Sequence, residues 1–413
     1  MFHLMKRDLF LSAVGLMVLF VLFGFTLTGN ANLFRIDESQ MIPAPQKEGQ
    51  AGFEFNDITE KTGKIHQGMT GSTISDLDAY VDRLYSRRGF NGSIVIGLDG
   101  YMVYKSHVGH ANLAYKTKPI DDRSKFQLAS LSKQFTAAAV MLLHQQGKLG
   151  YDDPVTKYIG NFPYKKVTLR HLLHHTSGVP NYMWLAERKW KQKTPPDNEE
   201  MIKMMYRYDL KPHFEPGARY RYSNTGYMVL VGIVERISGK PIDAFLDEHF
   251  FSKLGMGNTY ARSFSDNHIH RHPKDTVYPG ELLGYRWSGG RYVAIPPTVN
   301  DGTVGDKGIY STGVDLLKWD QALEQHFILA DTTLQAAYRK GVTATGDTIP
   351  YGFGYHIPRK KKNLKAYHNG VWNGFTNTYR KYHEDSLTII LLSNSSFKGI
   401  TRTIKGIKDI IGS

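Results

Sequence analysis

The stretch Gln127–Gly150, QLASLSKQFTAAAVMLLHQQGKLG, decides how the rest of the chain is read. Its second half is a run of good helix formers that stops at Gly147, a residue suited to the left-handed turn that ends a helix. Its first half sets Ser130 and Lys133 three residues apart where that helix begins. A helix's first turn has free N–H groups and the positive end of the dipole, so it suits a hydroxyl that must develop negative charge. Residues three apart share a face, which lets the Lys133 amine approach the Ser130 hydroxyl. Once partly desolvated and near other cations, that amine gives up its proton more easily and can take the one on the serine.

S-x-x-K alone is weak, and the chain repeats it at Ser395–Lys398. The residues downstream separate the two copies. After Ser130 comes YRYSNTGYMVLVGIVERISG, in which Tyr222-Ser223-Asn224 opens another helix, and later AYHNGVWNGF with His368, Gly370 and Val371. Taken singly, these read as a buried tyrosine, an N-cap and a strand-edge turn. The ordered trio Ser130-x-x-Lys133, Tyr222-x-Asn224, His368-x-Gly370 resembles the three motifs of the serine β-lactamase and penicillin-binding-protein superfamily. It is most similar to the branch of class C β-lactamases, D-alanyl-D-alanine carboxypeptidases, D-peptidases and related esterases. VTLRHLLHHTSGVPNY (Val167–Tyr182), GDKGIYSTGVDLLKW (Gly305–Trp319) and YGFGYHI (Tyr351–Ile357) extend the likeness over roughly Ser72–Ser413.

The resemblance implies an α+β, β-lactamase-like fold: an antiparallel sheet flanked by helices, plus a mostly helical lobe. It implies Ser130 as nucleophile, Lys133 and Tyr222 sharing the acid and base work, and Asn224 bonded to Lys133 and to the acyl group. Val371 would join the Ser130 backbone N–H in stabilising the oxyanion, beside His368 and Gly370 at the substrate. No cofactor or metal is implied, and the histidines at 171, 174 and 175 read as structural support. Position 368 departs from the lysine usual in β-lactamases. A histidine there is only fractionally charged near neutral pH, which favours an ester or a D-amino-acid peptide amide, peptidoglycan-derived ones among them, over an antibiotic. The alternative is a penicillin-recognising receptor or peptidoglycan-binding module with little or no turnover.

Outward from these motifs, GSIVIGLDGYMVYKS places two strand-like runs around Asp99-Gly100, a strong hairpin signal. Two more strands over Thr376–Tyr382 and Ser386–Leu392 and an amphipathic helix over Ile400–Ile411 close the chain, so both ends are expected in one sheet. Ser75 is positioned to cap a helix carrying Leu77, Tyr80, Val81 and Leu84. Leu9–Leu27 is apolar throughout, follows Lys6 and Arg7, and is long enough to cross a bilayer. It predicts a membrane anchor or a signal peptide over 1–29, a linker over 30–71 and an extracytoplasmic catalytic domain over 72–413. The chain has 52 Lys+Arg against 38 Asp+Glu, a net charge of +14, and no Cys. The missing thiol excludes disulfide scaffolds, Cys-ligated metals and thiol nucleophiles. The charge invites a nucleic-acid reading, but that needs a basic stripe with interleaved aromatics, and an exported domain beside anionic lipid or cell-wall polymer fits it better.

Overall fold

The computed structural model describes residues 52–57, 69–265, 279–359, 363–383 and 386–412. The expected anchor over Leu9–Leu27, most of the linker and the lysines of the run Arg359–Lys362 lie outside them. Among the described residues no helix is long and apolar enough to cross a membrane.

Helix α1 spans Gly71–Arg88 and buries Leu77, Val81 and Leu84. It starts four residues before the expected Ser75, because the Thr70 side chain accepts the Thr73 N–H at 3.2 Å and so caps an earlier turn. Strands β1 (Gly92–Leu98) and β2 (Tyr101–Val108) form the expected hairpin. Asp99 and Gly100 both adopt positive φ, 49° and 78°, as the tight turn between twisted strands requires. Three helices matter most in the middle of the chain: α2 (Lys133–Gln145), α3 (Asn224–Ser238) and α4 (Gly313–Glu324). The C-terminal part supplies β3 (Leu364–Trp372), β4 (Phe375–Tyr382), β5 (Thr388–Ser393) and α5 (Ile400–Ile411).

The five strands make one antiparallel sheet in the order β3-β4-β5-β1-β2, which joins the two ends of the domain as expected. Alternation along β1 and β5 builds two cores. Ile94, Ile96, Ile389 and Leu391 pack with Leu77 and Val81 of α1 and with Ile404 and Ile407 of α5. Val95, Ile390 and Leu392 point the other way, toward Phe135 of α2 and Leu316 and Trp319 of α4. Successive side chains of a strand face opposite ways, so central strands covered on both sides must be apolar at every position. Beyond α2 lies the helical lobe, where α3 is buried from Thr225 to Val234. Within the segment expected as linker, Phe53 and Phe55 pack on the larger core, and the Asn56 N–H donates to Gln321 Oε1 at 3.1 Å.

One buried ion pair ties α4 to the sheet. Lys381 Nζ donates to Asp320 Oδ1 at 2.6 Å, and Asp320 also accepts from the Tyr379 and Thr388 hydroxyls. Lys381 reaches Glu324 as well, at 3.1 Å. Removing Asp320 would leave Lys381 with Glu324 alone and the buried Tyr379 and Thr388 hydroxyls without their acceptor, at a cost of about 3–5 kcal/mol. Asp320→Ala is therefore expected to lower urea-unfolding stability by about that much, and Asp320→Asn by less; a loss under about 1 kcal/mol for the alanine would contradict this role.

Candidate active site

The turn that carries Ser130, the expected nucleophile, is a short 3-10 helix, Ala129–Ser132, that runs directly into α2. With three residues per turn, side chains at i and i+3 eclipse. That stacks Lys133 over Ser130 and puts its Nζ 3.2 Å from the Ser130 Oγ. Ala129 enters the turn at φ +52°, a conformation that non-glycine residues avoid, so the surroundings hold the backbone in strain beside Ser130. Lys133 is wholly buried. Its Nζ also donates to Asn224 Oδ1 and to the Asp306 carbonyl, each at 2.8 Å. Desolvation, aided by the Lys307 charge and opposed by Asp306, pulls its pKa from 10.5 to about 7.

This arrangement lets the amine work in both protonation states. Asn224 Oδ1 and the Asp306 carbonyl accept hydrogen bonds and never donate, so they hold two N–H groups in either case. The third position faces Ser130, whose hydroxyl accepts from an ammonium and donates to a neutral amine. The Asp306 carbonyl had no signature in the sequence: it is backbone, presented by the Gly305–Gly308 turn. Gly305 has φ +109°, and a Cβ there would meet Val231 at 2.4 Å and the Tyr227 carbonyl at 2.7 Å.

Tyr222 and Asn224 stand where α3 begins, across from Ser130. Burial drives the Tyr222 phenol well above its usual pKa of 10, with the Ser130 hydroxyl pulling the other way. The two hydroxyls are thus close, yet among the described residues no hydrogen bond of ordinary geometry satisfies the buried Tyr222 Oη. The Lys133 Nζ lies 5.0 Å from the Tyr222 ring centre. Around that ring sit His175 at 4.2 Å, Tyr351 and His356 at 6.0 Å, and His368 at 6.1 Å, centroid to centroid. Burial keeps these histidines neutral, His356 down to about 4 and the other two well below 6.5, and the Lys133 charge adds to the shift. The supporting role of His175 agrees with the sequence reading, whereas Tyr351 was not separable from fold residues in the sequence.

The third motif lies on β3, an edge strand beside the nucleophile turn. Asn373 and Gly374, at φ 43° and 87°, form a two-residue turn that makes Trp372–Phe375 the closing hydrogen-bonded pair. Pairing then alternates, so the N–H of Val371, opposite Thr376, points off the sheet edge. A Cβ on Gly370 would fall 2.2 Å from the Leu128 carbonyl and 3.2 Å from the Ala129 Cβ, so only glycine lets the strand approach. His368 offers no charge to a ligand. Its Nδ1 lies 2.7 Å from the Asn369 carbonyl and so carries the hydrogen; its Nε2 then accepts from the Tyr351 hydroxyl at 3.0 Å.

The histidines at 171, 174 and 175 hold structure. His171 Nδ1 accepts the Thr168 N–H, His174 Nδ1 bonds the Tyr351 carbonyl, and His175 Nδ1 accepts the Ser223 N–H at the foot of α3. The second S-x-x-K is structural too, since the Ser395 hydroxyl donates to the Gly89 carbonyl at 3.1 Å.

The model of the Beta-lactamase family matches residues 77–404. The chain belongs to that family. It is a serine hydrolase with the family's mixed fold. It is 33% identical over 321 residues to Penicillin-binding protein 4* of Bacillus subtilis (strain 168), covering 77% of this chain and 71% of that one. It is 25% identical over 313 residues to a D-aminopeptidase of Brucella anthropi, covering 74% of this chain and 56% of the relative. The solved D-amino acid amidase from Ochrobactrum anthropi SV3 has the same fold, with TM-score 0.67 at 23% identity over 83% of this chain and 99% of that one.

Gly370→Ala is expected to push β3 off the nucleophile turn. Its acylation rate should fall at least about tenfold, with a stability loss of about 1–3 kcal/mol typical of overpacking; an alanine variant with wild-type acylation would show that the close approach is dispensable.

Proposed function

We propose that this protein is an extracytoplasmic serine hydrolase that forms an acyl-enzyme at Ser130 on an ester or on the amide of a D-amino-acid-containing peptide. The observation that carries this reading is the buried Lys133 amine, 3.2 Å from Ser130 and with its pKa brought down to about 7. Near that pH a substantial fraction is neutral and able to take the Ser130 proton as Oγ attacks the carbonyl. Tyr222 acts as a neutral phenol, because its burial opposes the phenolate. Its O–H proton goes to the departing alcohol or amine as the Lys133 ammonium returns the proton taken from Ser130, so the phenol ends neutral, and it then helps orient the water that releases the acyl group. The oxyanion is stabilised by the Val371 N–H, off the edge of β3, and the Ser130 N–H. A neutral, buried His368 gives no permanent charge to a β-lactam carboxylate, which supports an ester or peptide over an antibiotic.

The extracytoplasmic assignment rests on the Leu9–Leu27 run and its flanking charges. A second reading, acylation with little turnover, is favoured by the 33% identity to a protein named as penicillin-binding. A burst of one product per enzyme without steady turnover would support it.

A fluorophosphonate probe should label the wild type and fail on Ser130→Ala; equal labelling would sink the assignment. Because the neutral amine is the working form, kcat/KM for p-nitrophenyl acetate should rise with pH and level off above about 7. Lys133→Arg, which stays charged, should lose about 10²–10⁴ of that rate. A profile flat from about pH 6 to 9 in the wild type would count against Lys133 as base.

A further inference from the structure

With His368 neutral and enclosed, the third motif presents no cation to substrate. A different part of the site does. A cavity of about 230 Å³ opens beside Tyr222 and Asn224, walled by Gly178, Val179, Asn181, His213, Phe214, Arg221 and Ser223. Among the described residues no carboxylate lines it. Arg221 and His213 bring the cationic chemistry, and Arg219 stands next to them, its guanidinium 4.8 Å over the Phe214 ring and donating to the His213 carbonyl. The only acidic residue in the segment 211–221, Glu215, is turned to Lys166 at 3.1 Å. Burial lowers the His213 pKa and the charges of Arg221 and Arg219 lower it further, so His213 sits within their field and the arginines carry the charge.

The backbone here is fixed relative to the nucleophile. The Arg221 N–H donates to the His175 carbonyl at 2.9 Å, and the His213 N–H donates to the Gly178 carbonyl at 2.8 Å. Arg221 precedes Tyr222 directly, so its side chain leaves the same anchored strand of chain that carries the phenol. Asn224 connects cavity and chemistry. Its Oδ1 is occupied by Lys133, while among the described residues its Nδ2 meets only the Met183 sulfur at 3.7 Å, a weak acceptor. An amide N–H is therefore left for a carbonyl on the substrate, and the arginine lies further along the same cavity.

We infer that this cavity is an acyl-side subsite for an anionic group: the acyl arm places a carbonyl against Asn224 and a carboxylate against Arg221. This rests on Ser130 acting as the acylated nucleophile. The ligand class is a carboxylate-bearing acyl donor, such as a peptide with an acidic side chain or a free carboxylate on the acyl side of the scissile bond. Arg is suited to the task, since its planar fork pairs with a carboxylate through two parallel hydrogen bonds.

The test uses the full-length protein and two p-nitrophenyl esters of equal acyl length, the adipic acid monoester and the hexanoate. The wild type should favour the adipate in kcat/KM. Arg221→Gln should lower the adipate-to-hexanoate ratio about tenfold through KM, and Arg221→Lys should keep part of it. Raised salt should shrink the wild-type ratio. Lys203→Gln removes the same unit of charge outside the cavity lining and should leave the ratio as in the wild type. A ratio below one in the wild type, or one unmoved by Arg221→Gln, overturns the subsite. Fluorophosphonate labelling separates this from the hydrolase reading: labelled Ser130 without charge preference condemns the subsite alone. If Ser130 is not labelled, the hydrolase reading fails, and calorimetry on Ser130→Ala decides the subsite by binding. Adipic acid monoanilide should then bind more tightly than hexananilide, and equal or weaker binding refutes it.

Discussion

Lys133 carries a primary amine into the space between sheet and helical lobe, and the site depends on how that amine is accommodated. A buried ammonium without partners costs several kcal/mol, so it loses its proton or finds acceptors. Here it does some of each. Ser130 comes from the turn before α2, Asn224 from the start of α3, and the Asp306 carbonyl from the loop that precedes α4. Three segments far apart in sequence must meet at one nitrogen. The packing that brings them together is the same packing that shifts the proton affinity. α2 is buried almost throughout, so water cannot stand in for a missing acceptor. The Gly305–Gly308 turn and the strain at Ala129 arise from this demand. The first presents a carbonyl that no side chain could replace, and the second bends the chain so that Ser130 faces the amine.

Around this centre the protein withholds charge. His175, His356 and His368 all face the Tyr222 ring and are all neutral. In a low-dielectric box the phenol keeps its proton, which divides the labour: a nearby amine whose proton is easily removed, and a phenol whose proton is not. Two titratable groups driven apart by their surroundings are what the proposed mechanism needs of a base and an acid at one pH. Had Tyr222 been solvated, the same two residues would have left the assignment ambiguous.

How much of this was legible in the sequence depends on what carries each feature. Ser130 and Lys133 were legible because their relation is local, three residues on one helical start. The hairpin at Asp99-Gly100 and the helix over Ile400–Ile411 were legible for the same reason, periodicity and turn chemistry. Tyr222, Asn224 and Val371 could be placed only through the resemblance, since nothing local joins them to Ser130. The start of α1 was not legible because two residues able to cap it, Thr70 and Ser75, lie five apart, and the folded chain uses Thr70. The Asp306 carbonyl and the tautomer of His368 were out of reach. Any residue has a carbonyl, and a tautomer is set by which oxygen the fold places against which nitrogen.

The neutral His368 can be understood from the same electrostatics. The ring lies in the field of Lys133, which depresses its proton affinity beyond what burial alone does. The effect is reciprocal: a permanent cation at position 368 would push the Lys133 pKa below about 7. A less basic amine would then face Ser130, where the proposed mechanism is served by a pKa close to the working pH. Placing the ring between the Tyr351 hydroxyl and the Asn369 carbonyl satisfies both nitrogens without a charge. The third motif thus keeps its shape on β3, with Gly370 against the nucleophile turn and the Val371 N–H at the edge, while its charge is given up. Charge needed to recognise a substrate must then come from outside the box, where water screens it from Lys133 and leaves the base undisturbed.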